Sequence, residues 1–106
     1  MLDLATVTAD TFRPHIDSTF TVVVEDHTFV LTLTDIDLHG EPPPPNHPVL
    51  VRQGFSMVFR TFDDDGVFFP QNVYKATHES LGEVELFFVP IGPDLEGVMR
   101  YEVILG

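Results

Sequence analysis

The chain has 106 residues and a mass of 11.9 kDa, is 43% hydrophobic and carries ten Phe. That is enough to fill one core, too short for two domains, and unlike disordered, collagen-like or coiled-coil sequences. Seventeen Asp and Glu against five Lys and Arg give a formal net charge of −12, which argues against nucleic-acid partners and anionic membrane surfaces, both of which are bound through Lys and Arg. Neutral or basic protein surfaces, or cations, are the expected partners, and the charge also favours solubility.

Residues 5–17 are the one candidate for a helix. Thr8 suits the N-cap, Asp10 suits the first turn, and Pro14 should end a helix of one or two turns. Val7, Phe12 and Ile16 would pack on the body. Residues 18–25 and 27–38 are rich in Thr, Val, Phe and Leu and read as a hairpin across a turn at Asp26 and His27.

In the second of these strands Phe29, Leu31 and Leu33 share one face. Asp35, Asp37 and His39 then continue that face, while Ile36 and Leu38 take the other. A period of two cannot change sides without a bulge or bend, which is expected near residues 34–36. Asp35, Asp37 and His39 are also of metal-ligand type and would point the same way from an extended strand. They form the candidate metal set, although no fourth ligand is identifiable.

Residues 39–48 read as a stiff loop, five of the ten being proline. A third strand region spans residues 49–62, with Phe55, Met57 and Phe59 alternating against Ser56 and Arg60. Asp63, Asp64, Asp65 and Gly66 suit a tight turn. They fail as an EF-hand, because the glycine falls fourth and the twelfth position is Tyr74. Further strands are expected at residues 71–79, 83–90 and 98–105. Val84, Leu86 and Phe88 would face in and Glu83 and Glu85 out, and Ser80 to Gly82 would turn the chain. Residues 91–97 read as a loop, with Pro90 ending the strand before it. Met99, Tyr101, Val103 and Leu105 share a face. Six or seven short strands with regular turn signals indicate one all-β domain over residues 1–106, an antiparallel barrel or sandwich with a short N-terminal helix.

No chemistry-bearing motif stands out. Cys is absent, so disulfides, thiolate nucleophiles and Cys-bound zinc are excluded. The five His (15, 27, 39, 47 and 78) show no zinc-binding spacing. Ser18, Ser56 and Ser80 lie in no nucleophile elbow, and no Gly-rich phosphate loop occurs. Pro42 to Pro45 lack the basic flank of a proline-rich ligand. The expectation is a non-enzymatic protein without a cofactor. The chain opens without a basic, apolar leader and has no apolar stretch of membrane-spanning length, so a soluble cytoplasmic protein is expected.

Several segments together resemble an uncharacterised bacterial family of stand-alone domains of about this size. Phe12 and Ser18-Thr19-Phe20 match its opening helix and first strand, with Asp17 where glycine is usual. Residues 55–60 (Phe-Ser-Met-Val-Phe-Arg) match its central strand, with Thr61 in place of a glycine. The most specific match combines Pro70-Gln71-Asn72-Val73-Tyr74, His78, Leu81-Gly82 and Leu86-Phe87-Phe88-Val89-Pro90-Ile91-Gly92-Pro93, with Asn72 replacing a glycine. Tyr101-Glu102-Val103 matches the closing strand. The resemblance supplies no catalytic residues. It implies a domain of unknown function whose genes often stand beside those of phage-tail-collar-like proteins, and hence an accessory role in a tail-like assembly.

At the matching positions, Gly82 and Gly92 suit turns of unusual φ. Tyr74 and His78, at i and i+4 of one strand, are candidates for a hydrogen-bonded pair pinning two strands or for an interaction site. Two functions follow. One is a protein-interaction module that uses a strand edge or an acidic face. The other is a small-ligand or divalent-metal barrel, with Asp35, Asp37 and His39 as ligands or the aromatic side chains lining a pocket. A bare edge strand would also offer a route to a homo-oligomer.

Overall fold

A computed structural model describes residues 2–4, 6–40, 52–61 and 68–106. The proline loop beyond Gly40, His47 and the Asp63-Asp64-Asp65-Gly66 turn lie outside the described residues. Six antiparallel strands form the body: β1 (Thr19–Val24), β2 (His27–His39), β3 (Gly54–Thr61), β4 (Asn72–His78), β5 (Gly82–Pro93) and β6 (Met99–Leu105). They close into a barrel in the order β1-β2-β3-β6-β5-β4. The expected choice between barrel and sandwich is resolved as a barrel. No helix among the described residues is long and apolar enough to cross a membrane.

The interior follows from strand alternation. Phe20 and Val22 of β1, Leu31 and Leu33 of β2, and Phe55, Met57 and Phe59 of β3 are fully buried. So are Ala76 of β4, Val84, Leu86 and Phe88 of β5, and Tyr101 and Val103 of β6. In a six-stranded barrel such side chains fill the lumen. Phe20 and Phe88 both meet Phe59 edge-on, at centroid distances of 5.3 and 5.4 Å, the geometry aromatic quadrupoles favour.

The side change in β2 is where the alternation places it. Leu33 faces Phe59 and Asp35 faces Val58, so Thr34 is the extra residue of a bulge. Its hydroxyl donates to the Val58 carbonyl at 3.1 Å. Beyond the bulge Ile36 lies opposite Met57 and packs against the core, whereas Leu38, opposite Phe55, is half exposed.

The helix has the one or two turns expected of it. α1 (Ala9–Phe12) is a single turn, continued by a 3₁₀ turn at Arg13–His15 that holds Pro14 near its start. Thr8 caps α1 and its N–H donates to Thr11 Oγ1. Val7, Ala9 and Phe12 are buried, Phe12 within 6.1 Å of Phe55. At the other end, Phe69 stacks on Tyr101 at 4.0 Å with nearly parallel rings.

Several strand boundaries differ from expectation, β3 beginning at Gly54 with Arg52 and Gln53 outside it. The β1–β2 turn is Glu25 and Asp26, because Val24 pairs with His27. Strand β5 runs past Pro90 to Pro93, since a register shift between Pro90 and Gly92 accommodates a residue with no N–H to give. Gly82 and Gly92, at φ 76° and 90°, occupy the left-handed conformations expected of them.

Asp17 stands at φ 74°, a conformation that suits glycine, the residue the resemblance implies at this position. An L-residue in this region meets a steric cost that glycine does not. The Asp17 N–H donates to the Leu33 carbonyl at 2.7 Å, and glycine preserves that bond. Asp17→Gly should therefore stabilise the fold by roughly 0.5 kcal/mol, a rise of about 3 °C in Tm by calorimetry. Asn72 and Thr61, the other two positions at which the resemblance implies glycine, have no positive φ.

Both ends of the chain are tied to the barrel. The Leu2 N–H donates to the Glu83 carbonyl at 2.8 Å. Arg52 donates to the carbonyls of Leu4, Val7 and Gly106. One guanidinium thus joins the N-terminal segment to the C-terminus.

Candidate functional site

The sequence-derived candidates occupy three separate places. Asp35, Asp37 and His39 lie on the outer face of β2 beyond the bulge, opposite Val58, Ser56 and Gly54, and all three are exposed. Consecutive outward positions on a strand point in parallel rather than converging. Among the described residues no three His, Asp or Glu side chains are grouped to hold a metal ion.

Tyr74 and His78 do not bond to each other. The Tyr74 hydroxyl donates to the Pro70 carbonyl at 2.6 Å, and partial burial raises its pKa. His78 is buried and builds a different unit. Its Nδ1 accepts the N–H groups of Ser80 and Leu81 at 3.0 and 3.2 Å, which caps the β4–β5 turn. Its Nε2 lies 2.9 Å from Ser18 Oγ, and Ser18 Oγ donates to the His15 carbonyl. The His15 ring meets it edge-on at 4.5 Å, and the Phe20 ring lies at 4.6 Å.

The two donors at Nδ1 decide the tautomer. Nδ1 keeps its lone pair, so Nε2 carries the proton and gives it to Ser18. A Ser beside a His at this distance has the spacing of a nucleophile and its base. Here the polarity runs the other way: the hydroxyl receives a hydrogen bond from the imidazole and gives its own proton to a carbonyl. Burial lowers the pKa of His78, His15 lowers it further, and Glu79 opposes them. The unit is a neutral polar latch joining the residues before β1 to the β4–β5 turn.

The five cations are used within the chain. Arg13 pairs with Asp10, Lys75 with Glu83 at 3.1 Å, and Arg60 with Asp94 and Glu96. Arg52 holds three carbonyls, and Arg100 reaches the Gly92 carbonyl at 3.4 Å. Asp94 is held down to a pKa of about 2, first by the Arg60 hydrogen bond and then by the N–H groups of Val98 and Glu96.

The remaining feature is an outer wall built by β4 and β5. Glu83 and Glu85 keep the outer face of β5 polar at its start, as expected. Phe87 and Val89 then take the same outward positions while Val84, Leu86 and Phe88 fill the lumen. Val73 of β4 stands directly opposite Phe87. Val73 is 50% exposed and Phe87 45%, and Ile91 at the register shift is exposed as well. A strand apolar on both faces is the pattern of one covered on both sides. Residues 86–91 (Leu-Phe-Phe-Val-Pro-Ile) contain no polar side chain, and that run is the sequence signal for the wall. The alternation of apolar and polar residues expected over residues 83–90 breaks at Phe87.

A family model described as a domain of unknown function, DUF6916, matches residues 7–105, nearly the whole chain. No curated protein and no solved structure matches.

Proposed function

We propose that this chain, which belongs to the DUF6916 family of domains of unknown function, is a non-enzymatic module that acts by binding a protein on the outer wall of β4 and β5. The observation that carries this reading is the apolar outer half of β5. Contiguous exposed apolar surface on a small domain marks an interaction site when it is rimmed by polar groups. Val73 and Phe87 are rimmed by the Lys75–Glu83 pair and by Glu85, which lies opposite Lys75.

Two further points support binding over catalysis. The lumen is filled by the chain's own Phe, Leu and Tyr side chains. The nearest thing to a catalytic pair, Ser18 and His78, is polarised against nucleophile activation. The resemblance to a family encoded beside phage-tail-collar-like proteins supports a structural protein of that type as the partner, with this domain as an accessory of the assembly in the bacterial cytoplasm.

The test is retention of partners from the native cells at moderate salt, wild type beside the Val73→Ser/Phe87→Ser double variant. The expected result is one protein held in stoichiometric amount by the wild type and lost by the variant. Equal retention by both would remove the wall from the function.

A further inference from the structure

Resting on that reading, we infer that the β4–β5 wall takes a basic partner: a protein surface with apolar side chains at its centre and Lys or Arg around them. The wall itself supplies the apolar centre through Val73, Phe87 and Val89. The surrounding charge then selects what can approach. Lys75 is held by Glu83 and Arg100 by the Gly92 carbonyl. Glu85, and Glu102 opposite Val89, form no ion pair among the described residues. The uncompensated charges beside the stripe are therefore carboxylates.

The long-range field points the same way. A chain of net charge −12 with its five cations engaged internally attracts a basic surface from a distance and repels an acidic one. A second copy of this chain is the other occupant that an apolar wall suggests. Pairing two like-charged chains through this face sets Glu85 and Glu102 near their own symmetry mates, because a two-fold contact meets itself. Like charges brought together this way oppose association. Charge complementarity thus selects a basic partner over self-association.

The test uses the intact chain and three labelled peptides, read by fluorescence anisotropy. The first has a Val-Phe-Val centre between lysines, the second the same centre between glutamates, and the third a serine centre between lysines. The lysine peptide with the apolar centre should bind at least about tenfold more tightly than either control. Its binding should weaken as salt rises from about 50 to about 200 mM. Val73→Ser/Phe87→Ser, which leaves the net charge unchanged, should cost about tenfold in affinity.

Equal binding of that peptide to the double variant would overturn the inference, since general attraction to an acidic protein would then explain it. Preference for the glutamate peptide would overturn the basic partner and leave the binding wall standing. So would a wild-type dimer in sedimentation that the double variant disperses. A monomer that binds none of the peptides would bring down both readings.

Discussion

His78→Ala should destabilise the domain by about 2–4 kcal/mol, lowering Tm by roughly 10–20 °C. The substitution removes three things together. The N–H groups of Ser80 and Leu81 lose their acceptor, Ser18 loses its donor, and Phe20 loses a packed ring. His78→Asn separates these losses, because its Oδ1 can stand near the position of Nδ1 and accept from the turn. It should recover about half of the lost stability if turn capping dominates. An Asn variant as unstable as the Ala variant would assign the effect to ring packing instead.

The same residue makes the fold acid-sensitive. Its pKa is lowered from 6.5, so the unfolded chain binds a proton more readily than the folded one. Its contribution is therefore whole above about pH 6.5 and is lost as the pH falls from there through the lowered folded value. Protonation at Nδ1 would set a third N–H against those of Ser80 and Leu81. Urea midpoints measured between pH 7.5 and pH 5 should fall for the wild type. They should fall less for His78→Asn, the remaining slope coming from other groups. Parallel slopes would mean that His78 does not control the acid response.

Tyr101→Phe should cost about 1–3 kcal/mol, although it removes a single oxygen. Tyr101 is fully buried. Its oxygen accepts the Phe69 N–H at 2.8 Å and its hydroxyl faces the Phe69 carbonyl at 3.3 Å. The variant keeps the stacked ring but leaves a buried N–H without a partner. Tyr74→Phe is the control. It removes a bond to an exposed carbonyl at Pro70, and should cost less than about 1 kcal/mol.

Tyr101 also predicts an alkaline limit. Burial, partly offset by the Phe69 N–H, pushes its pKa up to about 12 from 10.0. The unfolded chain then ionises first. The stabilisation is complete below pH 10 and is lost between pH 10 and 12, amounting to about 2–3 kcal/mol. Chemical denaturation across that interval should show a steep fall in the wild type and a shallower one in Tyr101→Phe. Equal slopes would show that another group sets the limit.

Much of the architecture was legible because alternation is local. Phe29, Leu31 and Leu33, followed by Ile36 and Leu38 on the opposite parity, required a bulge near Thr34, and the ladder with β3 contains it. Phe55, Met57 and Phe59, and Val84, Leu86 and Phe88, were legible as inward rows for the same reason. The β1–β2 turn moved by one residue because the pairing of Val24 with His27 sets it. Strand β5 passed Pro90 because the register shift beside it is a property of the pairing with β6.

The sites were less legible, since their hydrogen-bond partners follow from the folded backbone and, for Ser18 and His78, from groups far apart in the chain. Tyr74 and His78 share a strand, yet their partners are Pro70 in one case and Ser18, Ser80 and Leu81 in the other. Ser18 and His78 are 60 positions apart, and no spacing rule joins them. Arg52 carries no local signal for its hold on Leu4, Val7 and Gly106. The outer wall was legible in principle from residues 86–91, an apolar run too long for a strand with one wet face.

Composition and a period of two carried the all-β class, the acidic character and the inward rows, because both act over a few neighbouring residues. Only the tertiary structure decided the closed strand order, the neutral tautomer of His78, the internal use of the five cations, and which half of β5 meets solvent with apolar side chains. The strand order depends on pairings between distant strands and is fixed when the barrel closes, whereas the His78 tautomer also rests on the neighbouring N–H groups of Ser80 and Leu81.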